Sequence, residues 1–145
     1  MTTESSATRH HRAPSIQETV ETATVTVQKS ARGGAERPYA PAHLAGTRDG
    51  SGNLTITWVR RTRVNGGWAD GIGDVPLSEA GEAYEVEILD GSTVLRTISG
   101  LSAPAATHTA AEQTADFGAP QASITVHAYQ LSAIAGRGIA ARATL

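Results

Sequence analysis

Two short segments constrain the fold of this chain more than any other feature. Asn53–Arg61 (NLTITWVRR) sets Leu54, Ile56 and Trp58 on one parity and Thr55, Thr57 and Val59 on the other. Glu82–Asp90 (EAYEVEILD) alternates Tyr84, Val86 and Ile88 with Glu85 and Glu87. Successive side chains of a strand leave opposite faces, so period-two alternation marks a half-buried antiparallel strand. Glu85 and Glu87 are therefore expected on a solvated sheet face. Between the two segments runs a long loop, rich in turn residues, that carries Trp68.

The neighbouring sequence extends the same pattern. Ala42–Arg48 reads as a short strand with Leu44 inward, and Asp49–Gly52 as a turn by composition. Asp90-Gly91-Ser92 is a tight hairpin signal leading into a strand over Thr93–Ser99. A short strand over Pro104–Thr109 precedes a capping box, with Thr109 as N-cap and Glu112 three residues on. The helical turn this predicts, Ala110–Asp116, is closed by Gly118 and Pro120. Gln121–Ser132 alternates again, with Ile124, Val126 and Ala128 on one face. Ala135–Gly138 then turns the chain into a last strand, Ile139–Leu145. About seven short strands with turn signals between them predict an all-β fold. The expected architecture is a fibronectin type III or immunoglobulin-like antiparallel β-sandwich. Its core would be Leu54, Ile56, Trp58, Tyr84, Val86, Ile88, Ile124 and Val126.

The N-terminal part differs in composition. Met1–Ser15 is polar and Ser/Thr-rich, too poor in apolar residues to order itself, and is expected to be flexible or ordered only on a partner. Thr22–Lys29 reads as a strand with Ala23, Val25 and Val27 on one face. Ser30–Glu36 is expected as a flexible link, and the two prolines of Arg37–Pro41 extend and stiffen the chain beyond it. The expected organisation is an N-terminal arm, 1–36, and a sandwich domain, 37–145.

Charge and composition narrow the chemistry. A formal net charge of −2 argues against general nucleic-acid binding. There are no cysteines, so thiolate metal sites, disulfides and cysteine nucleophiles are excluded. No apolar run reaches the roughly 18 residues of a membrane span, and no signal-like apolar stretch is visible near the start. His10, His11, His43, His108 and His127 show no ligand spacing beyond the adjacent tail pair, whose side chains would point apart in a strand. Asp49-Gly50-Ser51-Gly52-Asn53 reads as a plain turn rather than a calcium loop, because no bidentate glutamate comes after it. Asp70 and Asp74 are read in the same way. No nucleophile lies in an elbow motif and no glycine run fits a phosphate loop, so neither an enzyme nor a cofactor is expected.

Three arginines and one tryptophan carry the remaining chemistry. Arg60, Arg61 and Arg63 cluster at the end of the second strand. They are read as a solvated strand end, paired with Glu82 or Glu85, or as a contact to a protein or acidic glycan. A loop tryptophan such as Trp68 packs on the sandwich end, anchors an interface or stacks on a sugar. Asp70 joins these four residues as a candidate partner or glycan contact. Ala23, Val25 and Val27 are the candidates for docking the arm.

From Arg37 onward a longer pattern emerges. Pro38-Tyr-Ala-Pro-Ala-His-Leu44, Arg48-Asp-Gly50, Leu54-Thr-Ile-Thr-Trp58 and Arg60-Arg-Thr-Arg63 occur in order. Val75-Pro-Leu77, Glu82-Ala-Tyr-Glu-Val-Glu-Ile88, Thr109–Gly118, Tyr129-Gln-Leu-Ser132 and Gly136-Arg-Gly138 come after them. This series resembles the C-terminal fibronectin type III-like region of the tail-tip host-specificity proteins, the baseplate "megatron" proteins, of gene transfer agents and siphophages. There the region closes a much longer chain; here it comes after a private arm. The chain is therefore expected to be either a separately encoded small protein or a piece of a longer one. The resemblance implies a structural component of a virion tail tip, displayed distally and involved in host attachment. It implies other hub or baseplate proteins as partners, a homotrimer in the assembly and no catalytic residues. The alternative expectation is a domain that binds a host glycan or receptor directly through loop 64–81.

Overall fold

The computed structural model describes residues 6–12, 26–32, 37–64, 66 and 75–145. The chain divides into two compact units, Met1–Glu36 and Arg37–Leu145.

In the first unit, β1 (Ser6–Arg12) pairs antiparallel with β2 (Thr26–Arg32) in a two-stranded sheet. Both strands depart from expectation. Ser6–Arg12 lies in the segment expected to be flexible. The second strand runs on through Ser30-Ala31-Arg32, where a link was expected. Backbone pairing makes no demand for apolar side chains, so a polar strand leaves no period-two signal. Residues 22–25, which include Ala23 and Val25, lie outside the described residues; Val27 falls within β2 opposite His11.

The second unit is a two-sheet antiparallel sandwich. One sheet has the order β3 (Ala42–Arg48), β4 (Leu54–Val59), β7 (Ala105–His108). The other has the order β10 (Ala141–Thr144), β8 (Thr125–Ser132), β5 (Tyr84–Asp90), β6 (Thr93–Leu101). A two-residue strand, β9 (Gly136–Arg137), pairs with the end of β8. Helix α1 (Ala110–Phe117) carries the chain from β7 towards β8. Leaving out the two-residue β9, the first, second and fifth strands of the sandwich thus face the third, fourth, sixth and seventh, the arrangement of a fibronectin type III-like sandwich.

The inward parity of each strand supplies the core. Leu54, Ile56 and Trp58 of β4 meet Tyr84, Val86 and Ile88 of β5 and Ile124, Val126 and Ala128 at β8, all buried. Trp58 and Tyr84 pack edge to face with ring centroids 5.3 Å apart. Leu44 of β3 is half-buried against this cluster. Strand β3 bulges between Ala42 and Ala45, where His43 takes φ 52°. Ile124 and Leu145 exchange both backbone bonds and close the far end of the β8–β10 pair.

Helix α1 forms where the capping box places it. Thr109 Oγ1 accepts from the Glu112 N–H at 3.2 Å, and Glu112 accepts from the Thr109 N–H at 2.8 Å. Gly118, left-handed at φ 83°, ends it. Gln113 on this helix is fully buried. Its amide donates to Gly52 O and His108 O, and its carbonyl accepts from Arg48 and the Gln121 N–H. The turn before β4 is tied to the same helix. Asp49 accepts from the backbone of Ser51 and Asn53 and from the Asn53 amide, while Asn53 Oδ1 accepts from the Ala110 N–H. The Asn53 amide, then its backbone N–H, holds the Asp49 carboxyl below its usual range. That carboxylate is engaged within the turn.

Candidate interaction site

The arginine cluster sits where β4 leaves its sheet. Arg60 is half-buried, donates to Val75 O at 2.6 Å and pairs with Glu82 at 3.2 Å. Tyr84 donates to the same Glu82 carboxylate at 2.7 Å. Arg63 pairs with Glu79 at 2.8 Å, and Glu79 is almost entirely covered. Two arginines on the outgoing side of the loop are thus clamped to residues on its returning side. Arg61 is exposed and lies over the Tyr39 ring, 5.2 Å from its centroid. A contact of that kind contributes about 0.5–1 kcal/mol when exposed.

Arg60 takes Glu82, one of the two acidic partners expected for the strand end. Arg63 and Arg61 find partners that sequence reasoning did not name. Glu79 lies in the returning loop, and Tyr39 comes from the segment that precedes β3. No periodic signal connects either residue to the arginines. Trp68 and Asp70 lie outside the described residues.

A second polar cluster occupies the outer face of the larger sheet, and here the expectation of a solvated Glu85/Glu87 face is corrected. Glu87 is only 8% exposed. Tyr129 donates to it at 2.7 Å, Arg137 donates to it at 2.6 Å, and His127 Nδ1 stands 3.7 Å away. Arg137 also pairs with Glu85 and lies across the Tyr129 ring, 4.6 Å from its centroid. Register explains the grouping: Glu85 is opposite Tyr129 and Glu87 is opposite His127. Repulsion between two carboxylates on one strand face is relieved by a single guanidinium brought in by β9. Burial, then the hydrogen bond to Glu87, pushes the Tyr129 hydroxyl up to about 12, so it remains a neutral donor.

A third cluster joins α1 to the sandwich. Asp116 receives two bonds from Arg96 of β6, at 2.7 and 2.9 Å, and lies 2.9 Å from Nε2 of the fully buried His108. Among the described residues no three histidines, cysteines or carboxylates come together in a way that could hold a metal ion. None of the described helices is long and apolar enough to cross a membrane.

Strand order and core therefore define a fibronectin type III-like β-sandwich. The fold agrees with that of the rat CD45 extracellular region, domains d3–d4, at a TM-score of 0.51 and 12% identity. That alignment covers 100% of this chain, which spans 65% of the length of the rat structure. The FN5 domain of Drosophila Lar aligns at 13% identity and a TM-score of 0.39, over 74% of this chain and 95% of that domain. The 12% identity to the rat structure speaks to fold alone. No protein-family profile matches the chain. No curated protein matches its sequence.

Proposed function

We propose that the chain is a structural component of a phage or gene-transfer-agent tail tip. In this reading its sandwich is displayed distally, and the first 36 residues join it to neighbouring hub or baseplate proteins. One observation carries the reading: the segments that resemble tail-tip proteins are those that hold the sandwich together. Arg37 donates to the carbonyls of Arg137 and Gly138, and Pro38 O accepts from the Ile139 N–H. Arg60 and Val75 tie the loop, Glu82–Ile88 and Leu54–Trp58 build the core, and Thr109–Gly118 forms the capped helix. Such a pattern of internal ties suits a framework rather than a cleft. Immunogold labelling of purified particles with an antibody to residues 37–145 is expected to mark the tail tip. A chain lacking residues 1–36 should fold, since the core cluster of the described residues lies in the second unit, yet be missing from the particles. Label absent from particles, or the truncated chain still incorporated, rejects the assignment.

The clamped ends of the loop favour a second reading, direct binding of a host glycan. Arg60 and Arg63 fix the two sides of 64–81 against each other, and binding loops work best on rigid supports. On this reading Trp68→Ala lowers glycan-array signal at least about tenfold, the effect of losing one stacked aromatic. Unchanged binding in the variant, or none in the parent, removes the loop as a site.

A further inference from the structure

The β1–β2 ribbon has an uneven charge distribution. All four basic residues of Met1–Glu36 lie in its strands, Arg9 and Arg12 in β1 and Lys29 and Arg32 in β2. The four acidic residues of that unit, Glu4, Glu18, Glu21 and Glu36, lie in neither. His10 and His11 add groups that gain positive charge on protonation. The register sets Arg9 directly opposite Lys29, an arrangement that disfavours pairing unless negative charge is brought near. Neither strand has a third strand beside it among the described residues. A two-stranded ribbon alone is marginally stable in water, and an unpaired strand edge is a template for another chain. The two strands thus carry no counter-charge in their own sequence and, among the described residues, no continuation of their backbone ladder.

We infer that the β1–β2 ribbon is a docking element that adds to the acidic edge strand of a partner protein. An edge strand bearing Asp or Glu supplies both missing parts at once. Its peptide groups extend the ladder, and its carboxylates occupy cross-strand positions beside Arg9 and Arg12 when it adds to the β1 edge, or beside Lys29 and Arg32 when it adds to the β2 edge. Nucleic acid and anionic glycans supply charge but no peptide groups for the ladder. The inference does not depend on a tail particle; it requires only a protein partner.

The test uses the full chain and four labelled probes in fluorescence anisotropy at physiological salt. The probes are a peptide alternating Val and Glu, one alternating Val and Lys, duplex DNA and heparin. The Glu peptide is expected to bind about tenfold or more tighter than each of the others, corresponding to two or more cross-strand charge pairs. Arg9→Glu with Lys29→Glu should reverse the preference between the two peptides. Val27→Pro keeps the charges but interrupts the ladder, so it should weaken the Glu peptide about tenfold and leave DNA and heparin retention unchanged. Equal binding of the two peptides, or DNA or heparin binding as tightly as the Glu peptide, overturns the proposal. So does a Val27→Pro variant that binds the Glu peptide like the parent.

Discussion

Replacing Gly138 with alanine is expected to destabilise the sandwich by about 3 kcal/mol. A Cβ at this position would lie 2.6 Å from Gln130 O, 2.8 Å from Pro38 O and 2.9 Å from Pro38 Cβ. Two of those atoms are backbone carbonyl oxygens and the third belongs to a proline ring, so no side-chain rotation relieves the clash. The chain must move, and several bonds meet at this point. Gly138 donates to Gln130 O at 2.9 Å, Ile139 donates to Pro38 O at 3.0 Å, and Arg37 donates to the carbonyls of Arg137 and Gly138. Overpacking alone costs typically about 1–3 kcal/mol, and each hydrogen bond lost adds roughly 0.5–1.5 kcal/mol. Thermal unfolding of the full chain should show a midpoint lower by about 10 °C, since each kcal/mol moves a domain of this size by several degrees. Gly50→Ala is the control. Nothing lies within 4 Å of a Cβ there, so the change should stay within about 0.5 kcal/mol. Equal midpoints for the two variants would mean that the crowding at Gly138 does not limit stability.

Gly138 also illustrates what sequence alone can resolve. In sequence it is part of a turn, Ala135–Gly138, and nothing local signals that Pro38, a hundred residues earlier, passes beside it. The strands were legible because the period-two alternation of Leu54-Ile56-Trp58 and Tyr84-Val86-Ile88 is a local consequence of burying one face. The helix was legible because Thr109 and Glu112 cap it within three residues. Pairings between distant strands leave no such trace. The carboxylate of Glu87 looked solvated because Arg137, which covers it, comes fifty residues later. Glu79 and Tyr39 escaped notice beside Arg63 and Arg61 for the same reason. Of the cationic ribbon, periodicity marks only Thr26–Lys29; Ser6–Arg12 and Ser30–Arg32 pair through backbone bonds between polar segments, where hydrophobic periodicity is silent.

Asp116 should give the second large effect, together with a distinctive response to acid. Its carboxylate sits between Arg96 and His108, and an ionised carboxylate can only accept, so His108 Nε2 carries the shared proton. His108 is fully buried, and its Nδ1 has no partner. Asp116→Ala would remove the remaining bond from that ring and leave Arg96 without its two-pronged partner. Breaking a buried pair costs about 3–5 kcal/mol. Arg96 is partly exposed and can recover water, which places the expected loss near the lower end, about 3 kcal/mol. Asp116→Asn keeps the shape without the charge and should lose somewhat less. Acid then separates the ionic contribution from packing. Bonds from Arg96, then from His108, hold the Asp116 carboxyl below its usual range, and bonds from the Thr109 backbone, then from its hydroxyl, do the same for Glu112. A carboxyl depressed in the folded state stabilises at pH values above its unfolded pKa, and that stabilisation fades as pH falls through the folded one. Unfolded Asp and Glu titrate near 3.8 and 4.5, so the loss begins at about pH 4–5 and deepens below it. Urea unfolding from pH 7 to pH 3 should therefore show the gap between parent and Asp116→Asn narrowing as pH drops. A gap of constant size would mean that the loss comes from hydrogen bonds the amide cannot reproduce, and that the charge of Asp116 contributes nothing to the attachment of α1.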